Sequence, residues 1–118
     1  MTINTVTLGG RLGAKPMLSE FPGGDRKTSF SIAHSRFVGN GQYVTDWHNC
    51  FAKQHVADRL CEQAMKGQQI TVVGSLRVTT YDNEAKGQRV VIVEIEVKDY
   101  MLGEPPKLAD LKSEDHGG

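Results

Sequence analysis

The stretch that decides the fold is residues 54–78, QHVADRLCEQAMKGQQITVVGSLRV, because the spacing of its apolar residues changes part-way along it. Over residues 54–66 the apolar side chains recur at helical spacing, and Gly67 stands where the C-terminal cap of a helix belongs. From Ile70 to Val78 every second residue is apolar or glycine, which is typical of a strand. The stretch therefore predicts one helix followed at once by a strand.

Alternating apolar residues elsewhere in the chain predict the remaining strands, at residues 3–13, 28–37, 43–53 and 90–97. Turn residues separate them: Pro and Gly in a loop over 14–27, Asn40-Gly41 in a hairpin over 38–42, and polar residues over 82–87. Because apolar residues stand on both faces of the last strand, we expect that strand to be well buried.

The order of these elements is three strands, one helix and a long hairpin. This order predicts an all-β fold, the five-stranded oligonucleotide/oligosaccharide-binding (OB) barrel, with one helix between strands 3 and 4. A small sheet capped by a helix is the competing architecture.

Length and charge set the outer limits of the interpretation. The chain has 118 residues and a mass of 13.0 kDa, which is enough for one domain, predicted over residues 1–103. Pro105-Pro106 then begins a short flexible tail, residues 104–118. Fourteen basic residues balance fourteen acidic ones, but residues 1–103 alone hold twelve bases and ten acids, so the domain is mildly basic. No apolar run is long enough to span a membrane, and Met1–Thr5 does not look like a secretory signal, so we expect a cytoplasmic protein.

Sequence motifs for catalysis are weak. No P-loop and no dinucleotide-binding glycine motif is present. His48 with Cys50, or His55 with Cys61, could form a nucleophile and base, but no orienting third group is evident, and buried or reduced thiols are the simpler interpretation. The spacing of these residues also matches no paired-ligand metal motif. We therefore expect no catalysis, no metal and no cofactor. A small cysteine or metal enzyme remains as an alternative of a different class.

The aromatic residues carry the strongest functional signal. Phe37, Trp47 and Tyr81 stand at strand ends or polar borders, and basic residues alternate with them. Rings of this kind stack on unpaired bases while cations follow the phosphates, as binding of single-stranded nucleic acid requires. Packing in the core or in hairpins is the ordinary alternative for any one ring taken alone. The combination predicts stacking on these rings and phosphate contacts from Arg11, Lys15, Arg36, Lys53, Arg77, Lys86 and Arg89.

Four sequence blocks resemble bacterial single-stranded DNA-binding proteins: Asn4–Gly13, Thr45–His48, Lys66–Arg77 and Met101–Gly103. They occur in the family's order across nearly all of residues 3–103. The resemblance implies an OB fold, usually a homotetramer, that binds and wraps single-stranded DNA without catalysis in replication, recombination and repair.

The resemblance also assigns roles to individual residues. Trp47, Phe37 and Tyr81 match stacking positions of the family, and His48 matches a histidine at the family's subunit interface. Lys53 stands where many members have a further aromatic residue, so a base replaces a ring at that position.

The tail departs from the family pattern. Family members commonly end in an acidic tip closing with Asp-Ile-Pro-Phe, which recruits replication and repair proteins, whereas this chain ends His116-Gly117-Gly118. Recruitment through such a tip is therefore not supported, and we expect either a specialised copy, for example phage- or plasmid-encoded, or a shortened chain. The second alternative for function is an OB-fold dimer of the replication-restart kind, which mainly bridges proteins.

Overall fold

The computed structural model describes residues 1–106. Its elements, in chain order, are β1 (Val6–Leu12), β2 (Ser19–Glu20), β3 (Arg26–Gly39), β4 (Gln42–Lys53), α1 (Gln54–Gln63), β5 (Gln69–Asn83) and β6 (Gln88–Leu102). In this part of the chain no helix has the length and apolar character needed to cross a membrane.

Five of the strands close into a barrel. The order in the sheet is β1-β5-β6-β4-β3, and β1 also pairs with β3 at Leu12 and Ile32, which joins the two ends. All these pairings are antiparallel except β4 with β6. The OB barrel predicted from the sequence is thus confirmed. The two-residue strand β2 lies on β3 within the predicted loop, so α1 follows the fourth strand of the chain and not the third.

The strands and the helix both contribute side chains to the core inside the barrel. Alternate residues of β3, β4 and β5 point inward, and α1 adds Ala57 and Leu60 to the same cluster. The buried apolar residues of the cluster are Leu12, Phe30, Ile32, Cys50, Ala52, Ala57, Leu60, Ala64, Ile70, Val72, Ile95 and Val97. The faces of β3 and β4 that point away from this core are therefore available for function.

The end of the helix differs from the prediction. The helix stops at Gln63, and Ala64 already has an extended backbone, with φ −89° and ψ 150°. Gly67 is not the helix cap; it occupies the turn that follows, at φ 81°. The physical reason is pairing with β1, because the Gly67 N–H donates to the Leu12 carbonyl and the chain must leave the helix early to reach it.

The hairpin of β5 and β6 extends well beyond the barrel. We call its projecting part, residues 76–93, the arm. The expectation that the last strand is well buried was wrong for its part of the arm, because Val91 and Val93 of β6 are more than half exposed. Val78, opposite Val93 on β5, is 63% exposed. A two-stranded ribbon outside the barrel has no second layer to cover its apolar residues.

Candidate nucleic-acid interface

One outer face of the sheet gathers the aromatic side chains of the β3–β4 hairpin. The register places Tyr43 opposite Phe37, Trp47 opposite Ala33 and Phe51 opposite Ser29. Since side chains alternate along a strand, residues 43, 47 and 51 project from the same face. Each is about 13 Å from the next along the strand. We call this surface the ring face: the outward side of β3 and β4, continued across β6 onto β5 and, next to Ala33, onto β1.

Trp47 is 60% exposed, and its position is set by a glycine of the loop after β1. A Cβ built on Gly13 would lie 2.7 Å from Cζ3 of the indole and 2.8 Å from the Ser31 hydroxyl oxygen. The missing side chain therefore lets the indole lie against the backbone at Gly13 while the rest of the ring meets solvent.

We expect Gly13→Ala to displace the indole and to weaken oligo-dT binding by about 1 kcal/mol, because the added methyl group overlaps the ring. Fluorescence anisotropy of labelled oligo-dT measures the affinity, and the emission spectrum of the single tryptophan reports the displacement. Gly9→Ala is the matched control, since a Cβ there meets only ordinary contacts of 3.6 Å or more. Equal affinities for the two variants would show that Gly13 does not position the ring.

Three other rings of this face are also open, whereas Phe51 is buried. Phe37 and Tyr43 pack on each other at 5.3 Å between ring centroids, yet both remain more than half exposed. Tyr81 is 50% exposed and projects from β5 on the same side as Arg77, which lies opposite Glu94 of β6. Tyr43 was not among the predicted site residues, although its spacing of four from Trp47 indicates the same face of the strand.

Arg11, Lys53 and Arg77 are the predicted phosphate-binding residues that the structure places on the ring face. Arg11 lies opposite Ala33, which is itself opposite Trp47, so the guanidinium and the indole belong to one row across three strands. The Arg11 side chain donates from Nη1 to the Gly67 carbonyl at 3.0 Å. Its remaining N–H groups can meet a phosphate beside the indole.

A buried carboxylate holds Arg77. Glu96 accepts from Lys98 Nζ at 2.7 Å and from Arg77 Nε at 2.9 Å, and its side chain is only 10% exposed. The Lys98 hydrogen bond is the main cause that lowers the Glu96 pKa, with Arg77 contributing, and together these outweigh the burial that would raise it. The carboxylate is therefore ionised at neutral pH and fixes the direction of the arginine.

We expect Glu96→Gln to lower the free energy of unfolding by about 2 kcal/mol at pH 7, because two charge-assisted hydrogen bonds weaken. Since folding lowers the Glu96 pKa, its contribution is present above the unfolded pKa and disappears as the pH falls through the folded pKa. Urea unfolding at pH 7 and at pH 3 should show a difference between wild type and variant that shrinks in acid. Glu94→Gln is the control, because Glu94 takes part in none of the ion pairs among residues 1–106. A difference that is unchanged at pH 3 would contradict the assignment.

The other predicted phosphate-binding residues lie elsewhere. Arg36 is adjacent to Phe37 in sequence but projects from the opposite face, where it holds both oxygens of Asp46 at 2.9 and 3.4 Å. This bond to Arg36 is the main cause that lowers the Asp46 pKa. Lys15 donates from Nζ to the carbonyls of Cys61 and Ala64 at the end of the helix. Both side chains are therefore already engaged in contacts within the protein.

The last two predicted phosphate-binding residues, Lys86 and Arg89, lie on the arm. Lys86 lies in the turn at the tip, within Glu84–Gly87. Arg89 pairs with Asp82 in the strand register, on the side of the ribbon opposite Tyr81, and their charged atoms are 3.5 Å apart. They can meet a nucleic acid only where it passes around the arm.

Comparison with known proteins identifies the family. Residues 3–102 match the sequence model of the single-strand binding protein family. The chain belongs to this family. It is 33% identical over 102 residues to a single-stranded DNA-binding protein of Enterococcus faecalis, covering 85% of this chain and 54% of that protein. It is 31% identical over 105 residues to single-stranded DNA-binding protein A of Bacillus subtilis, covering 87% and 60%. The chain thus spans little more than half the length of these relatives.

A solved structure of another protein is similar in fold to this chain. The Plasmodium falciparum SSB in complex with single-stranded DNA has a TM-score of 0.78 and 27% sequence identity to this chain, with 88% and 97% of the two chains covered. The family assignment and this likeness favour single-stranded DNA binding over the replication-restart alternative.

Cys50 and His48, one of the two pairs considered for catalysis, are poorly placed for it. Cys50 is 1% exposed, and burial raises the pKa of its thiol to about 12, so the reactive thiolate is scarce at neutral pH. His48 projects from the same inward face of β4 and lies 6.0 Å from His34 between ring centroids. Among residues 1–106 no three His, Cys, Asp or Glu side chains converge as metal ligands would.

Proposed function

We propose that this member of the single-strand binding protein family binds single-stranded DNA along the ring face without catalysis. The observation that carries the proposal is the row formed by Arg11 and the exposed indole of Trp47. A ring of this exposure offers a flat apolar surface to a base, and the neighbouring guanidinium can neutralise the phosphate of the same nucleotide.

The location on the barrel supports the proposal. OB folds bind oligonucleotides on the face of their second and third barrel strands and on the loop between the fourth and fifth. In this chain those elements are β3, β4 and the end of the arm, which carry Trp47, Phe37 and Tyr81. Stacking tolerates every base because each has a π-face, so the binding is sequence-tolerant. Protection of exposed strands in the cytoplasm during replication, recombination and repair is the role that such binding serves.

Electrostatics adds a measurable signature. Arg11, Lys53 and Arg77 share the ring face, and each phosphate that is neutralised contributes about −0.7 to the slope of log affinity against log salt for single strands. Three contacts therefore predict a slope of about −2. The zero net charge of the chain is compatible with this, because the acids that cancel the sum lie partly on other surfaces and in the tail.

The inward side of the arm supports assembly into the homotetramer. Leu76, Val78, Val91 and Val93 share that side, which continues the inward face of the barrel strands into solvent. His48, Leu76 and Val93 line one shallow depression, so the predicted interface histidine adjoins the apolar surface. Contiguous exposed apolar side chains of this kind mark protein interfaces, and a second copy of the chain is the occupant that we propose.

Anisotropy titrations with three labelled ligands test the function. We expect oligo-dT and a mixed-sequence single strand of equal length to bind with affinities within a few-fold of each other, and a duplex of that length to bind far more weakly. The absence of single-strand binding, or a preference for the duplex, would overturn the proposal.

A further inference from the structure

A cleft at the end of the ring face contains two lysines that form no ion pair within residues 1–106. It has a volume of about 360 Å³ and lies between the β2–β3 turn and the start of α1, lined by Phe21, Asp25, Arg26, Lys27, Lys53 and Gln54. The cleft lies further along the ring face than Trp47. Lys53, which lines it, is six residues after Trp47 on the same face of β4, about 20 Å away along the strand. A strand lying on the ring face would reach this cleft.

The two lysines are directly opposite each other on β3 and β4. The ammonium of Lys27 lies 4.7 Å from the centroid of the Phe51 ring, and that of Lys53 lies 5.6 Å from it. The ring is thereby covered and only 7% exposed, although it projects from the outer face. Like charges directly opposite on neighbouring strands repel each other, so an anion between them would relieve the repulsion.

The nearby carboxylates are already engaged. Asp58 accepts from Arg26 Nε at 2.8 Å, and Asp25 Oδ1 accepts from Gln54 Nε2 at 3.0 Å. Within residues 1–106 neither Lys27 nor Lys53 is within ion-pair distance of a carboxylate. Both ammonium groups therefore keep N–H donors for a phosphate, although Asp25 in the cleft and Glu96 near Lys53 reduce the local positive potential.

The cleft is also held in shape. Gln54 has a left-handed backbone at φ 55°, which is unfavourable for a residue with a side chain. Its side chain joins the cleft walls, accepting from the Arg26 N–H and donating to Asp25. Strain that the surroundings maintain is found disproportionately at binding sites. Phe21, 49% exposed on the turn, supplies an open ring at the rim.

We propose that this cleft holds one nucleotide of the bound single strand, with its phosphate between Lys27 and Lys53 and its base on Phe21. The inference rests on the proposed function and extends it past Trp47. It also gives Lys53, which was predicted to contact phosphate, a second lysine opposite it and an open ring, Phe21, in the same cleft.

A relocated tryptophan tests the stacking contact. Phe21→Trp in a Trp47→Phe background places the single indole of the chain at the cleft, and Phe at position 47 still offers a ring to a base. We expect oligo-dT to quench this indole at saturation. Phe21→Ala in the otherwise native chain should weaken binding about fivefold or more, the lower limit for loss of one stacked base.

Salt titrations test the phosphate contact. Lys27→Gln combined with Lys53→Gln should reduce the magnitude of the log–log salt slope for oligo-dT by about 0.7, the value for one phosphate. Lys66→Gln, which removes an exposed lysine outside the cleft, should leave the slope unchanged. Urea unfolding of each variant confirms that the fold is retained, and the slope is insensitive to modest losses of stability.

The outcomes separate the two proposals. Quenching of wild-type Trp47 together with no quenching at position 21 and an unchanged slope would overturn the cleft proposal; stacking on the ring face would stand, without its phosphate contact from Lys53. A wild-type chain that does not bind oligo-dT would overturn both.

Discussion

Replacing Trp47 by alanine is expected to lower the affinity for oligo-dT by about 1–3 kcal/mol, which corresponds to roughly a five- to 150-fold weaker association. The reason is the loss of an exposed indole, the largest aromatic side chain, from the row that it forms with Ala33 and Arg11. Anisotropy of labelled oligo-dT, at one fixed salt concentration, measures the change.

Trp47→Phe is the matched control for this prediction. It keeps a ring at the position, so most of the affinity should remain, and both variants should unfold at urea concentrations close to the wild type because the side chain is largely outside the core. Wild-type affinity in the alanine variant would exclude Trp47 from the binding path.

The second large effect is expected at the arm. Val93→Asp should convert the assembled protein into a species of lower mass, because burial of an unpaired carboxylate against an apolar partner surface costs several kcal/mol. Light scattering coupled to size-exclusion chromatography measures the mass against multiples of 13.0 kDa.

Ile92→Asp is the control, since residue 92 is adjacent on the same strand but projects from the other side of the ribbon, with Tyr81. We expect it to retain the wild-type mass. A mass unchanged by Val93→Asp, or a wild-type chain that is already monomeric, would contradict assembly through this surface.

The barrel could be predicted because local patterns and topology agree in this chain. Alternation with period two in the strands, a helical period over 54–66 and turn residues between them leave few compact arrangements. The helix end was misplaced because Gly67 satisfies a local rule for caps, whereas the hydrogen bond from Gly67 to Leu12 depends on a strand far away in sequence. Such long-range pairing leaves no local signal.

The arm shows a second reason why the sequence pattern did not predict every feature of the structure. An alternating apolar strand looks the same in sequence whether its partner is the chain's own core or another surface. Val91, Val93, Ile95 and Val97 form one such series, yet only the last two are buried in the barrel. Pattern analysis therefore predicted burial along the whole strand.

The candidate site was predictable to the extent that it depends on the alternation of side chains between the two faces of a strand. Trp47 and Lys53 fall on one face by alternation alone, and the same rule separates Arg36 from Phe37. Other features depend on tertiary contacts that no spacing reveals. Examples are the bonds of Lys15 to the helix carbonyls and the two ammonium groups over Phe51.

The central claim is that bases stack on the indole while cations of the same face neutralise the backbone. Titration of the intrinsic fluorescence with oligo-dT at two salt concentrations tests both parts at once, because the chain has one tryptophan. We expect saturable quenching, with an affinity that falls at the higher salt concentration at a slope of about −2. Oligo-dT that binds by anisotropy and leaves the emission of Trp47 unchanged would contradict the account.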